Sequence, residues 1–164
     1  MTPRFGIVGA KNTGKTTLVC GLVSTFAAQG LRVATVKHAH HSFEIDHEGT
    51  DSHNHRLAGA TEVAVVSHTR WAIVHELRGE TEPDLDAIIA KLSPADLILI
   101  EGFKKHKHPK LEIRVGDRVM SRASYENIVG VVGDGGQFHR DDVRKIARYI
   151  TERCGLLLPT GQLP

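Results

Sequence analysis

Short apolar runs rich in β-branched residues alternate along the chain with stretches of helical periodicity, and glycine or proline residues separate them. This alternation is typical of α/β proteins, in which helices cover a mostly parallel sheet. The pattern predicts strands over residues 5–8, 31–37, 62–67, 71–77, 96–102, 111–115 and 128–132. It predicts helices over residues 15–29, 52–58, 83–92 and 140–153.

Two segments depart from simple alternation. The runs 62–67 and 71–77 are joined by a short polar stretch, which favours an antiparallel hairpin, and we therefore expect a mixed sheet. Residues 38–55 are too rich in His, Asp, Ser and Gly for a buried element and too long for a plain connection. Their length predicts a functional loop.

Length and composition restrict the class of protein. The 164 residues fit one domain over residues 1–155, followed by a tail over 156–164 without periodicity. The net charge of +2 argues against a general nucleic-acid binder or a membrane-surface binder. Cys20 and Cys154 are too few and too distant for a disulfide framework. Since no export signal or membrane span stands out, we expect a cytoplasmic protein.

The G-x4-G-K-T pattern of a phosphate-binding loop occurs from Gly9 to Thr16. It follows the first predicted strand directly, and a predicted helix comes after it. In such a loop, backbone N–H groups surround the phosphates, the lysine reaches the β- and γ-phosphates, and the hydroxyl faces Mg²⁺. Lys15 is therefore a predicted catalytic residue and Thr16 a predicted metal ligand. The predicted nucleotide-binding residues of the loop are Gly9, Asn12, Thr13, Gly14, Lys15, Thr16 and Thr17.

Two acidic residues, Asp96 and Glu101, stand at opposite ends of the apolar strand 96–102. In a parallel sheet the ligand crevice lies at the carboxyl ends of the strands. We therefore predict Glu101 as a catalytic carboxylate that holds Mg²⁺ directly or through water. Asp96 is interpreted as a turn residue.

The loop over residues 44–52 carries two more carboxylates. Asp46 and Asp51 are placed where a switch segment could reach the metal at the γ-phosphate, and we predict Asp46 as a catalytic and metal-binding residue. Asp51 has a second interpretation, because it could cap the following helix.

Six of the 11 histidines fall within residues 38–55, namely His38, His40, His41, His47, His53 and His55. Imidazole suits Zn, Ni or Cu, yet these positions show no repeated spacing and no accompanying cysteine. Phosphate contacts, water positioning and a solvated loop are the alternative roles.

The stretch from Lys104 to Lys110 concentrates positive charge immediately after Glu101. Such a run is usually a solvated turn, but its place at the crevice end also suits an anionic second substrate or an acidic partner surface. Asp134 follows the strand 128–132, where many GTP-binding proteins place an aspartate that reads guanine. The usual Asn-Lys or Thr-Lys before it is missing, and we predict Asp134 as a nucleotide-binding residue on position alone.

Four motifs occur in order: Gly9-x4-Gly14-Lys15-Thr16-Thr17-Leu18, Val36-Lys37-His38, the stretch from Asp46 to Arg56, and the stretch from Leu97 to Lys104 with Pro109-Lys110-Leu111-Glu112. Together they resemble the molybdopterin-guanine dinucleotide biosynthesis adaptor family, MobB, over about residues 4–150. The resemblance implies a homodimeric GTP-binding protein with slow GTPase activity, with GTP and Mg²⁺ as cofactors. It implies work beside the molybdenum cofactor guanylyltransferase that joins GMP to molybdopterin.

The expected fold is α/β, a P-loop NTPase-like three-layer arrangement with a mostly parallel sheet and an antiparallel hairpin extension. Two other functions stay open at this point. The histidines suggest a nickel or zinc delivery GTPase, and the phosphate-binding loop would also suit a small-molecule kinase. Kinases of this size usually close an Arg-rich lid, whereas this chain has a Lys- and His-rich loop.

Overall fold

The computed structural model describes residues 1–39, 43–116 and 125–157, and this part of the chain holds seven strands and four helices. The strands are β1 (Arg4–Gly9), β2 (Val33–Lys37), β3 (Glu62–Val66), β4 (Trp71–His75), β5 (Leu97–Glu101), β6 (Lys110–Arg114) and β7 (Ile128–Gly133). The helices are α1 (Lys15–Ala28), α2 (Asp51–Leu57), α3 (Leu85–Ala90) and α4 (Val143–Cys154). Every predicted strand and helix is confirmed, with ends that differ by at most three residues.

The chain divides into two compact units. One comprises Met1–His38 and Ile89–Pro164, and the other comprises Ala39–Ile88. The first unit contains the strands β1, β2, β5, β6 and β7 with α1 and α4. The second contains α2 and the hairpin of β3 and β4. A single domain over residues 1–155 stays a prediction, and most of the predicted tail lies outside the described residues.

The five strands of the first unit form one sheet in the order β2-β5-β1-β6-β7, and each neighbouring pair is parallel. Glu101 at the end of β5 is in register with Ile7 of β1 and with Lys37, the last residue of β2. The carboxyl ends of β2 and β5 therefore lie side by side at one edge of the sheet. The predicted α/β fold with a mostly parallel sheet is confirmed.

The β3 and β4 strands pair antiparallel, as predicted, but they form a two-stranded sheet of their own. The expectation of a mixed sheet is therefore wrong. The Ser67 backbone N–H donates to the Arg70 carbonyl, and this tight turn pairs β3 with β4. Both strands belong to the second unit, whereas the strands of the parallel sheet belong to the first. All pairings of the five-stranded sheet are parallel.

One face of the parallel sheet packs on α1 and α4. Successive strand residues point to opposite faces, so alternate residues enter this core. The sheet contributes Phe5, Ile7, Leu97, Leu99, Leu111, Ile113 and Val132, and the helices contribute Leu18, Leu22, Phe26, Ile146 and Ile150. This packing fixes the start of α1 beside the carboxyl end of β1.

Candidate functional site

The phosphate-binding loop is the turn between β1 and α1, and two glycines shape it. Gly14 takes a φ of 90° at the position that precedes α1, a left-handed conformation that glycine adopts without strain. A Cβ at Gly9 would lie 2.8 Å from the carbonyl oxygen of Ile113 on the neighbouring strand. Only glycine fits there without a shift of the backbone. The strand, loop and helix that the motif requires are all present.

Inside the loop, two side chains bond to one carbonyl. The buried Thr13 donates from Oγ1 to the Ala10 carbonyl oxygen over 3.0 Å. Lys15 donates from Nζ to the same oxygen over 2.6 Å. The first turn of α1 therefore holds the lysine head group against the loop, where backbone N–H groups and the helix N-terminus attract anions.

Three charged neighbours influence the Lys15 ammonium. Partial burial is the largest cause that lowers the pKa of Lys15, and Lys104 and Lys37 lower it further, while Glu101 acts in the opposite direction. The charges of Lys104 and Lys37 therefore add to that of Lys15 at the phosphate-binding loop. Such a concentration of positive charge suits a polyanionic ligand such as a nucleotide triphosphate.

Glu101, Thr16 and Lys37 form a polar group at the carboxyl edge of the sheet. The Thr16 hydroxyl donates to Glu101, 3.1 Å from Oε1 and 3.0 Å from Oε2. Lys37 Nζ lies 3.5 Å from Glu101 Oε1 and donates to Thr16 Oγ1 over 3.4 Å. Glu101 is buried, whereas the side chain of Lys37 is mostly exposed. The structure therefore brings two of the three predicted metal-binding residues together.

This group fits a magnesium ion. A hydroxyl and a carboxylate that already contact each other are hard oxygen donors, which Mg²⁺ prefers. The ion, when bound, would polarise phosphate oxygens and neutralise their charge. Lys37 balances the Glu101 carboxylate from the solvent side. The sequence motifs assign no role to Lys37, although its place at the end of a predicted strand is a usable signal.

Asp96 lies at the opposite end of β5 and pairs with Arg32. Its Oδ2 accepts from the Arg32 backbone N–H over 2.7 Å, and Oδ1 accepts from Arg32 Nη2 over 2.9 Å. These bonds lower the pKa of Asp96 to about 2. The carboxylate thus joins the start of β2 to the start of β5, in agreement with the turn role predicted for it.

In the second unit, Asp46 belongs to a network centred on Arg56. Arg56 donates from Nη1 to Asp46 Oδ2 over 3.2 Å and from Nε to Glu76 over 2.6 Å, and it also contacts the exposed Glu44. Ser52 donates to Asp46 Oδ1 over 3.1 Å. Within its own unit Asp46 thus fixes the loop to α2. The predicted role of Asp46 in metal binding stays a prediction.

The start of α2 differs from expectation. Thr50, not Asp51, is the capping residue, and its hydroxyl accepts from the His53 backbone N–H over 3.4 Å. The hydroxyl also donates to the His47 carbonyl over 2.8 Å, which places it correctly for the cap. Asp51 is the first residue of the helix, where a negative charge suits the helix dipole.

The histidine-rich segment forms no metal centre among residues 1–39, 43–116 and 125–157, since no three His, Cys, Asp or Glu side chains meet there in a metal-binding group. His40 and His41 lie outside the described residues. His38 instead packs on Phe103, with ring centroids 4.8 Å apart. Its backbone N–H donates to the Glu101 carbonyl over 2.9 Å, so His38 helps to shape the carboxyl edge of the sheet.

Asp134 follows β7 directly and is exposed. Its carboxylate accepts from the Gly116 backbone N–H over 2.5 Å. This bond ties the turn after β7 to the end of the neighbouring strand. A guanine-reading role for Asp134 stays a prediction.

With this geometry established, comparison with known proteins identifies the family. The family profile described as "MobB: Molybdopterin guanine dinucleotide synthesis protein B" matches residues 5–134, which includes the phosphate-binding loop, Glu101 and Asp134. The chain belongs to the MobB family.

Two relatives named molybdopterin-guanine dinucleotide biosynthesis adapter protein illustrate the similarity. The chain is 39% identical to the Escherichia coli protein over 68% of its own length and 65% of the relative. It is 38% identical to the Haemophilus influenzae protein over 66% of its own length and 61% of the relative. The matched part thus spans somewhat less than two thirds of these MobB proteins.

A solved structure extends the similarity to the fold. The crystal structure of molybdopterin-guanine biosynthesis protein B superimposes with a TM-score of 0.72 at 30% sequence identity. The match covers 92% of this chain and 99% of that one. No helix among the described residues is long and apolar enough to span a membrane.

Proposed function

We propose that this chain is a GTP-binding adaptor with slow GTPase activity that assists a molybdenum cofactor guanylyltransferase in attaching GMP to molybdopterin. The proposal rests on the arrangement at the carboxyl edge of the sheet, in a chain of the MobB family. There Thr16 is hydrogen-bonded to Glu101, and the charge of Glu101 acts on Lys15. The names of the relatives supply the pathway. The proposed location is the cytoplasm.

In this proposal the phosphate-binding loop holds the triphosphate of GTP. Backbone N–H groups of residues 10–14 and the start of α1 contact the phosphates, and Lys15 leaves the Ala10 carbonyl to reach them. Thr16 and Glu101 would hold Mg²⁺. Because Glu101 contacts Thr16 through both carboxylate oxygens, it is placed to orient water or metal rather than to act as a nucleophile.

Titration calorimetry with GTP and with ATP, each with and without Mg²⁺, tests the nucleotide proposal. We expect GTP to bind more tightly than ATP and Mg²⁺ to strengthen binding. Asp134→Asn should reduce the preference for GTP, because an amide cannot accept both guanine N–H groups as a carboxylate does. Equal affinity for both nucleotides in the parent protein would contradict the assignment of GTP.

Asp46 is proposed as a switch residue that acts on the metal during hydrolysis. Asp46→Asn should lower the rate of GTP hydrolysis more than GTP affinity. Glu44→Gln is a matched control, since Glu44 contacts the same Arg56 guanidinium but is exposed. If both substitutions have the same small effect, Asp46 serves only the Arg56 network.

The basic loop, defined here as residues 104–109, is proposed to bind molybdopterin or the acidic surface of the guanylyltransferase. Lys105 and Lys107 are exposed, whereas the charge of Lys104 also acts on Lys15. Reversal of Lys105 and Lys107 to Glu should therefore weaken molybdopterin or enzyme binding in a salt-sensitive way while GTP affinity stays near normal. Unchanged stimulation of cofactor assembly at every salt concentration would identify the loop as a solvated turn.

The homodimer is proposed on the family resemblance, and the hairpin offers a surface for it. Val66 and Trp71 are paired across the strands and are 76% and 65% exposed, and Ile73 on the same face is also exposed. Such an apolar face favours a protein contact. Trp71→Glu should convert a dimer into a monomer in sedimentation experiments. A monomeric parent protein at all concentrations would exclude the dimer.

A further inference from the structure

Lys110, the first residue of β6, is fully buried although it carries a charge. Its Nζ donates to the carbonyl oxygens of His106, of His108 over 2.9 Å and of Glu126 over 3.0 Å. An ammonium group has three N–H donors, and each has a backbone acceptor here. Burial lowers the pKa of Lys110 to about 8, so the side chain keeps its proton at neutral pH.

Three further carbonyls of the basic loop also accept hydrogen bonds from protein groups. Asn127 donates from its side-chain amide to the Lys107 carbonyl over 2.8 Å, and the Glu126 backbone N–H donates to the Lys104 carbonyl over 3.3 Å. The Gly6 backbone N–H donates to the Pro109 carbonyl over 2.8 Å. With the two carbonyls held by Lys110, five of the six carbonyls of residues 104–109 accept hydrogen bonds from other groups of the protein.

Gly6 of β1 makes room for this arrangement. A Cβ at Gly6 would lie 2.7 Å from His108 Nε2 and 2.7 Å from Lys110 Cγ. Burial, with the nearby Lys110 charge as a smaller cause, lowers the pKa of His108 to about 3, so its ring is neutral. The inner side of the basic loop therefore consists of a neutral imidazole and one buried ammonium.

We propose that Lys110 is the positioning residue of the basic loop, and that it holds the His106 and His108 carbonyls toward its buried ammonium so that the side chains of Lys105 and Lys107 form a pre-arranged anion-binding face. Inward carbonyls remove the negative ends of the peptide dipoles from the face that carries the lysines. A loop already fixed in this form loses little conformational freedom on binding. The ligand, molybdopterin, rests on the proposed function; the positioning role does not.

Limited proteolysis measures the positioning role without any ligand. Trypsin cleaves after exposed lysines in segments that open locally, so the rate of cleavage after Lys105 reports the open population of the loop. Lys110→Met keeps most of the apolar side chain but removes the ammonium group, so the carbonyls of His106, His108 and Glu126 lose this donor. We expect cleavage after Lys105 to become roughly 10-fold faster or more. Lys107→Met is the matched control, because it removes an exposed ammonium, and it should leave this rate unchanged.

Molybdopterin titration of the same proteins, saturated with GTP, then separates the two proposals. Lys107→Met should weaken binding in a salt-sensitive way with normal cleavage, whereas Lys110→Met should weaken binding with accelerated cleavage. If the parent binds no molybdopterin, the proposed ligand is wrong, and faster cleavage of Lys110→Met still supports the positioning role. If Lys110→Met is cleaved no faster than the parent, the positioning role is wrong whatever the ligand does.

Acylation of the parent protein keeps the proposal testable even if Lys110→Met does not fold. An amine-reactive ester should modify Lys105 and Lys107 readily at neutral pH, while Lys110 stays unmodified until the chain is unfolded by urea. Mass spectrometry of the digested protein gives the extent at each lysine. Modification of Lys110 at the rate of Lys105 in the folded protein would overturn the proposal.

Discussion

The strands β2 and β5 carry an ion pair at each end, and the two pairs differ in every respect that matters for function. At the amino ends, the exposed Arg32 and the half-buried Asp96 are in close contact, and Arg32 Nη2 lies 2.9 Å from Asp96 Oδ1. At the carboxyl ends, Lys37 lies 3.5 Å from the buried Glu101. In the first pair, both carboxylate oxygens of Asp96 accept hydrogen bonds from Arg32. In the second, the buried Glu101 carboxylate has a looser ion pair with Lys37 and also accepts from the Thr16 hydroxyl.

The difference shows how a site can be told from a structural contact. A carboxylate loses hydration energy when it is buried, and a loose ion pair does not restore that loss. Glu101 is held in this costly position next to Thr16, at the start of the helix that follows the phosphate-binding loop. Asp96, by contrast, joins two strand ends at the surface. If function belongs to the carboxyl ends alone, substitutions there should change GTP binding or hydrolysis, and substitutions at the amino ends should not.

The largest effect is expected from Lys15→Ala. Loss of a charged hydrogen bond to phosphate should weaken GTP binding about 100-fold, which corresponds to about 2.8 kcal/mol. Calorimetry gives the affinity, and circular dichroism shows whether the fold survives, as we expect for a side chain outside the core. Arg32→Ala removes a cation from the other end of the sheet and should leave GTP affinity unchanged. If Lys15→Ala and Arg32→Ala lost the same GTP affinity, the carboxyl and amino ends of the sheet would not differ in function.

Glu101→Gln should come next, with an effect on hydrolysis rather than on binding. A group that orients metal or water acts mainly on the transition state, so we expect GTP hydrolysis to slow roughly 100-fold. Asp96→Asn should leave hydrolysis near the parent value. Steady-state GTPase assays at saturating GTP measure both. If Asp96→Asn were the slower enzyme, our assignment of the crevice to the carboxyl edge would be wrong.

Thr16→Ala should have a smaller effect, limited to the part of GTP binding that depends on Mg²⁺. The hydroxyl is one ligand among several oxygens, so we expect the Mg²⁺ concentration needed for half-maximal binding to rise about 10-fold. Thr35→Ala, in the exposed part of β2, is the matched control. Titration of Mg²⁺ at fixed GTP measures the shift. An unchanged requirement would remove Thr16 from the metal shell.

The sequence predicted this end of the sheet well because its signals are local. The glycine spacing, Lys15 and Thr16 lie in one continuous motif, and the position of Glu101 follows from one rule about parallel strands. The roles of Lys37 and Lys110 could not be predicted, because they depend on partners that are distant in the sequence. The partner of Lys37 is Glu101, and one partner of Lys110 is the carbonyl of Glu126. The position of Lys110 in a basic run also predicts an exposed side chain. In the structure Lys110 is buried and packs beside Gly6.

The smallest effect concerns the amino end of the sheet and its dependence on pH. Hydrogen bonds from Arg32 lower the pKa of Asp96 from 3.8 to about 2, so the unfolded chain takes up this proton at a higher pH than the folded chain. The stabilisation from the ionised carboxylate is therefore complete above the unfolded value and is lost as the pH falls through the folded value. Asp96→Asn cannot titrate there. The difference in free energy of unfolding between parent and variant, from urea titrations at a series of pH values, should shrink over this acidic window and stay constant above it. A constant difference at every pH would mean that the pair does not stabilise the ends of β2 and β5 through its charge.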